Sequence, residues 1–188
     1  MPSVHRHIHA LIIPALLGAI AITLAAQIAI PIKPVPITLH TAAVLLCAWI
    51  LGPYVGMLSA IIYLLLALAG LPVLTGWGRS PIGSFLNAHS AGYVVAFIPA
   101  AFIFGRVLLR TPRSAFLRLT LAGLLGHAII LAIGFAWLAA RIGPADAISG
   151  GLLNLLPGAA LKSLLVAAII CTWHHLRTLK TSPRSRTR

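Results

Sequence analysis

A run of about 23 apolar residues, Ile8 to Ile30, opens this chain, and five more apolar runs follow it: Leu39 to Leu51, Tyr54 to Ala69, Ala91 to Leu109, Leu119 to Ala140 and Gly151 to Trp173. A helix that crosses the hydrocarbon core of a bilayer needs about 20 such residues. With 188 residues, 60% of them hydrophobic and 8% charged, the chain has too little polar surface to clothe a soluble core of this kind. The sequence predicts an all-α integral membrane protein with six transmembrane helices. Residues 1–177 form one membrane domain and 178–188 a basic, disordered tail. No length remains for a separate catalytic or ATP-binding domain.

Local signals divide the runs. Gly52-Pro53 ends one helix and starts the next in a tight helical hairpin. The run Leu39 to Leu51 is short, so its helix begins near Ile37 or lies obliquely. The first run exceeds the roughly 7 to 15 residues of a signal-peptide core, so it reads as a retained span.

Charge sets the orientation. The net charge of +13 arises from 14 Lys+Arg against one acid, Asp146. In a soluble protein that balance would suggest nucleic acid; between apolar spans it records topology, because Lys and Arg stay on the cytoplasmic side. Alternate ends and loops hold ten cations on one side: Arg6, Arg106, Arg110, Arg113, Arg118, Arg177, Lys180, Arg184, Arg186 and Arg188. The other side holds three, Lys33, Arg79 and Arg141. Both termini are therefore expected in the cytoplasm, and Pro31 to Leu39, Gly70 to Ser90 and Ile142 to Gly150 outside. No nucleic-acid partner is expected; membrane lipid is.

Chemistry-bearing residues are scarce. Asp146 lies in an external loop near a helix start and reads as a cap. Cys47 and Cys171 sit in apolar runs as small buried side chains. His5, His7, His9, His174 and His175 flank the membrane, and His127, alone in the fifth run, reads as a functional group or a helix-to-helix hydrogen bond. No metal or other cofactor is expected, and no enzyme. Because no run contains a carboxylate, uphill transport would draw its energy from a partner.

Lys162 stands out. A lysine inside a span costs about 2.5 to 3.5 kcal/mol on insertion scales, and no span offers it an acid. Asn154-Leu155-Leu156-Pro157-Gly158 reads as an unwound stretch with Pro157 at the first helical position. Lys162 would then sit one turn inside a helix N-terminus, where dipole, free N–H groups and ammonium together receive an anion such as a carboxylate.

The external segments look built to cover such a site. Pro31 to Thr38 holds three prolines and is stiff, extended and apolar, as a lid should be. Leu71 to Gly78 sets Trp77 among glycines, and Asn87, His89 and Ser90 add neutral polar groups, a set suited to a small, mostly apolar ligand with an amide-like head. In the first run, small residues recur at spacing four, Ala15 with Ala19 and Ala21 with Ala25 and Ala29, allowing close approach of a helix within the bundle or from a partner.

Ala25-Ala26-Gln27-Ile28-Ala29-Ile30-Pro31, Pro34-Val35-Pro36-Ile37-Thr38-Leu39-His40-Thr41, Leu51-Gly52-Pro53, Tyr63 to Leu66, Gly70 to Val73, Ser90-Ala91-Gly92-Tyr93 and Leu156-Pro157-Gly158 with Lys162 together resemble the BioY family. These are the biotin-binding S components of energy-coupling-factor transporters, and the resemblance spans roughly residues 15 to 170. It implies a six-helix bundle in a bacterial plasma membrane that captures biotin outside and delivers it inward. Its implied partners are a transmembrane coupling subunit, contacted partly through the Ala15, Ala19, Ala21, Ala25 and Ala29 face, and a cytosolic ATPase pair that alone uses ATP. Substrate-binding residues implied on this reading are Lys162, Asn87, Ser90, Tyr93, Trp77, Thr38, His40 and Asn154. The sequence departs from the family pattern at His40, where Gln is usual, at Ala88-His89, where Gly-Pro is usual, and at Ala159, where the family motif has Asp. Ala159 leaves open a changed ligand, a biotin precursor or another small carboxylate, and a non-transporting scaffold is a third possibility.

Overall fold

The computed structural model describes residues 2–181. Helix α1 (Pro2–Ala26) leads into a two-stranded hairpin, β1 (Ala29–Ile30) and β2 (Ile37–Thr38), then α2 (His40–Leu51) and α3 (Pro53–Leu68). A 3-10 turn (Thr75–Trp77) and the short α4 (Ile82–Asn87) cross to α5 (Ala91–Val95) and α6 (Phe97–Leu108). Next come α7 (Phe116–Ile142), α8 (Pro144–Asp146), a π-helical stretch (Ala147–Leu152) and α9 (Leu153–Thr181).

Among the described residues three helical segments are long and apolar enough to cross a membrane: Ala91–Leu108, Phe116–Ile142 and Pro144–Leu179, of 18, 27 and 36 residues. Three shorter apolar helices accompany them, Ala10–Ala26, His40–Leu51 and Pro53–Leu68. Each apolar run of the sequence is thus helical over most of its length, the first passing into β1 at Ala29–Ile30. The α2–α3 corner forms where expected: Gly52 takes φ 84°, open to glycine, and Pro53 starts α3.

The bundle closes on fully buried Tyr63, Phe97, Phe104, Leu45 and Ile22, while Leu17, Leu117 and Leu161 stay more than 60% exposed. An apolar periphery around a packed interior is what a lipid solvent calls for. Small residues set the closest approaches: Gly56 of α3 lies against Ala48 of α2, and Gly105 of α6 against Pro53.

Two local expectations are corrected. The stretch Asn154 to Gly158 is helical, with Pro157 inside α9. Its missing N–H falls within a turn and a half of the junction with the π-helical stretch Ala147–Leu152, and the helical run Pro144–Leu179 continues through it. Lys162 consequently sits about two and a half turns into α9, beyond any free N–H groups. Asp146 makes no capping hydrogen bond: it is the third residue of α8, and Gly143, with φ 87°, occupies the N-cap.

The first external segment is a hairpin rather than a simple extended strap, pairing Ala29 with Thr38 and Ile30 with Ile37. Helix α9 continues to Thr181, into the segment read as a tail; residues 182–188 lie outside the described residues.

Candidate functional site

A cavity of about 240 Å³ lies at the end of the bundle away from the arginine-rich connection, beneath the two long loops. Val35, Pro36 and Thr38 of the hairpin segment, with Leu74, Thr75, Gly78 and Arg79 of the second loop, form its cover. Its walls come from α2, α3, α5, α7 and the start of α9.

Lys162 reaches into this space from α9, and its Nζ donates to the Thr38 carbonyl oxygen at 3.1 Å. The ammonium therefore ties the hairpin to the bundle while keeping further donors for a ligand. Thr38 also hydrogen-bonds through its hydroxyl to Nδ1 of His40, whose ring meets Phe97 edge-on at 4.7 Å. Arg79 supplies a second cation at the cover. Two cations and no carboxylate line the cavity, so a bound anion would meet no repulsion there.

Neutral polar groups occupy the walls. The Tyr93 hydroxyl is the one buried side-chain polar atom without a hydrogen-bond partner among the described residues, and Tyr93 lines the cavity. An orphaned buried hydroxyl is costly unless something else satisfies it. Opposite, His127 is 2% exposed and bridges three helices: its Nε2 faces Thr41 Oγ1 at 3.2 Å, and its Nδ1 lies 3.0 Å from both the Gly123 carbonyl and Ser163 Oγ. Since Ser163 donates its own proton to the Ala159 carbonyl at 2.8 Å, Nδ1 carries the hydrogen and Nε2 accepts from Thr41. The helix-to-helix role read from the sequence is thus present, on the cavity wall. Ala159 lines the same cavity.

The structure brings together Lys162, Thr38, His40, Ser90 and Tyr93. It leaves three of the sequence candidates outside the lining, for local reasons. Asn87 and Asn154 are exposed and bond back to the carbonyls of Gly83 and Gly150 on their own helical segments. Trp77 is 56% exposed, with its backbone N–H held by Gln27 Oε1 at 2.9 Å. Gln27 also donates through Nε2 to the Leu74 carbonyl at 3.2 Å, so the end of α1 clasps the second loop. Trp137 and Arg141 clasp the next stretch: the indole donates to the Ala88 carbonyl at 3.0 Å, and Arg141 stacks 4.9 Å over that indole and donates to the Leu86 carbonyl. In sequence, Arg79 reads only as one of three cations on the sparse side, and Thr41 and Tyr63 stand in the stretches that resemble the family without being singled out as site residues.

The alanine rows separate. Ala15 and Ala19 are fully buried within the bundle, so they are not available to a partner helix in this arrangement. Ala21 is exposed, Ala25 half-buried, and Ala29 lies beyond the helix in β1.

A sequence profile described as the BioY family matches residues 3–178. The chain belongs to the BioY family. It is 31% identical over 169 residues to the probable biotin transporter BioY of Rickettsia prowazekii, covering 90% of this chain and 84% of that one. It is 35% identical to the biotin transporter BioY of Rhodobacter capsulatus, covering 70% and 72% of the two chains. A crystal structure of the S-component for biotin from an ECF-type ABC transporter superposes with a TM-score of 0.73 at 30% identity, covering 91% of this chain and 93% of that one. The chain therefore has the S-component fold.

Proposed function

We propose that this chain is the substrate-binding S component of a biotin uptake system, a multi-pass membrane subunit that captures biotin in the cavity beneath the two loops. Membership of the family, relatives named as biotin transporters and the S-component fold support this reading. The observation that carries it is a cavity of single-molecule size with Lys162 and Arg79 in its lining and no carboxylate beside them. A small apolar body with one carboxylate fits that lining. On this reading six helices cross the membrane, both termini lie in the cytoplasm with the arginine-rich end, and the cavity opens outward. Energy comes from a coupling subunit and ATPases in trans, and the chain itself needs no cofactor.

The test is equilibrium binding of labelled biotin to the purified protein in detergent, with biotin methyl ester as competitor. Removing the ligand's charge is expected to weaken binding about thirtyfold, from one charge-assisted contact of about 2 kcal/mol. Equal affinity for acid and ester would remove the cations from the account.

A second reading, a biotin precursor or related small carboxylate, is favoured by Ala159 alone, because a methyl group faces the cavity where the family motif has an acid. Precursors displacing label far better than biotin would select it.

Tyr93→Phe separates fold from binding. The hydroxyl is buried beside Gly151 and has no protein partner, so its loss is expected to leave the ligand-free protein as stable or about 1 kcal/mol more stable, with biotin affinity held within about twofold. A thermal unfolding series with and without biotin reads both. A fall in ligand-free stability with affinity intact would show that the hydroxyl serves the bundle.

A further inference from the structure

At the arginine-rich end, the last turn of α2, the connection between α6 and α7 and the late part of α9 enclose a groove of about 350 Å³, lined by Trp49, Ile50, Arg113, Trp173 and Arg177. The two indoles meet edge-on, with ring centroids 6.4 Å apart and planes at 90°. The Arg177 guanidinium lies 4.8 Å over the Trp173 ring. Arg113 is held from the other side, its carbonyl accepting from Cys171 Sγ at 3.4 Å. Around this basic floor the rim is apolar and open: Ile50 is 67% exposed and Trp173 48%.

Planar guanidiniums recognise phosphate oxygens by paired N–H bonds, and indoles settle at the level of lipid headgroups. An exposed isoleucine beside them suits hydrocarbon and not a hydrated free anion. We propose that this groove binds an anionic phospholipid, with Arg113 and Arg177 on the headgroup phosphate and Trp49, Ile50 and Trp173 along the glycerol and upper acyl chain. The site lies at the opposite end from the biotin cavity and stands whether or not biotin is the ligand there. Its consequence is an S component whose arginine-rich end carries a bound lipid, making its stability dependent on the anionic lipid content of the bilayer.

The experiment is native mass spectrometry of the purified full chain titrated with dioleoyl phosphatidylglycerol, dioleoyl phosphatidylcholine or inorganic phosphate. One tightly held phosphatidylglycerol is expected, with phosphatidylcholine about tenfold weaker and phosphate unable to displace it. At about 1 kcal/mol for each cation near an anionic surface, Arg113→Gln with Arg177→Gln should weaken the phosphatidylglycerol about thirtyfold. Arg113→Lys with Arg177→Lys should retain most of it, and Arg118→Gln, which removes a charge from the same end outside the groove, should retain all of it. Equal binding of both lipids, displacement by phosphate, or a glutamine pair that is folded by circular dichroism and binds as wild type would each overturn the assignment.

Discussion

Lys162→Ala is expected to weaken biotin binding about a hundredfold, the largest effect of any single substitution at the cavity. Two losses combine. The ligand carboxylate loses a charge-assisted partner in a partly buried site, an effect of about 2 kcal/mol, and the Thr38 carbonyl loses the donor that holds the hairpin over the cavity. Lys162→Arg keeps the charge but not the compact reach of an ammonium, so it should recover only part of the affinity. The measurement is equilibrium binding with the folded fraction monitored by gel filtration. Wild-type affinity in the alanine variant would place the anion elsewhere, with Arg79 the next residue to replace.

Gly56→Val is expected to destabilise the bundle by about 3 kcal/mol, because overpacking a tight helix contact displaces backbone. A Cβ at position 56 would lie 2.5 Å from Cα and 2.8 Å from N of Ala48, atoms that cannot swing aside as a side chain can. For a chain of this size the unfolding midpoint should fall by about 10 °C. Gly83→Val is the control: Gly83 is also helical, yet nothing lies within 4 Å of its added Cβ, so its midpoint should move by a few degrees at most. Equal shifts for both would mean that the α2–α3 approach is looser than described.

What was legible in the sequence was what neighbours along the chain decide. Gly52-Pro53 makes a corner through its own backbone preferences, and the apolar runs become helices because lipid leaves backbone groups no other partner. Lys162 could be singled out because one charge in an apolar run is costly wherever the fold places it. Pro157 was misread for the same local reason: the residue suggests a helix start, but the π-helical stretch before it and the packing of α7 on α9 extend the helix past it. The cavity lining was only half legible. Whether a polar side chain faces a ligand depends on what stands across the gap. Asn87 and Asn154 satisfy themselves on their own backbones, whereas Arg79, Thr41 and Tyr63 reach the cavity through tertiary placement that no spacing encodes.

Gln27 gives the molecule a mechanical property. One amide joins three pieces of backbone: it donates to Thr23 within α1 and to Leu74 in the cavity cover, and it accepts from Trp77. Leu74 also lines the cavity. The tip of α1 and the cover over the ligand are thus geared together by a single side chain. A helix seated against the exposed Ala21 side of α1 would have a lever arm of less than two turns to that gear. Tilting α1 would pull the cover and retuning the cover would tilt α1, so contact with a neighbouring subunit and occupancy of the cavity would report on each other without any residue touching both.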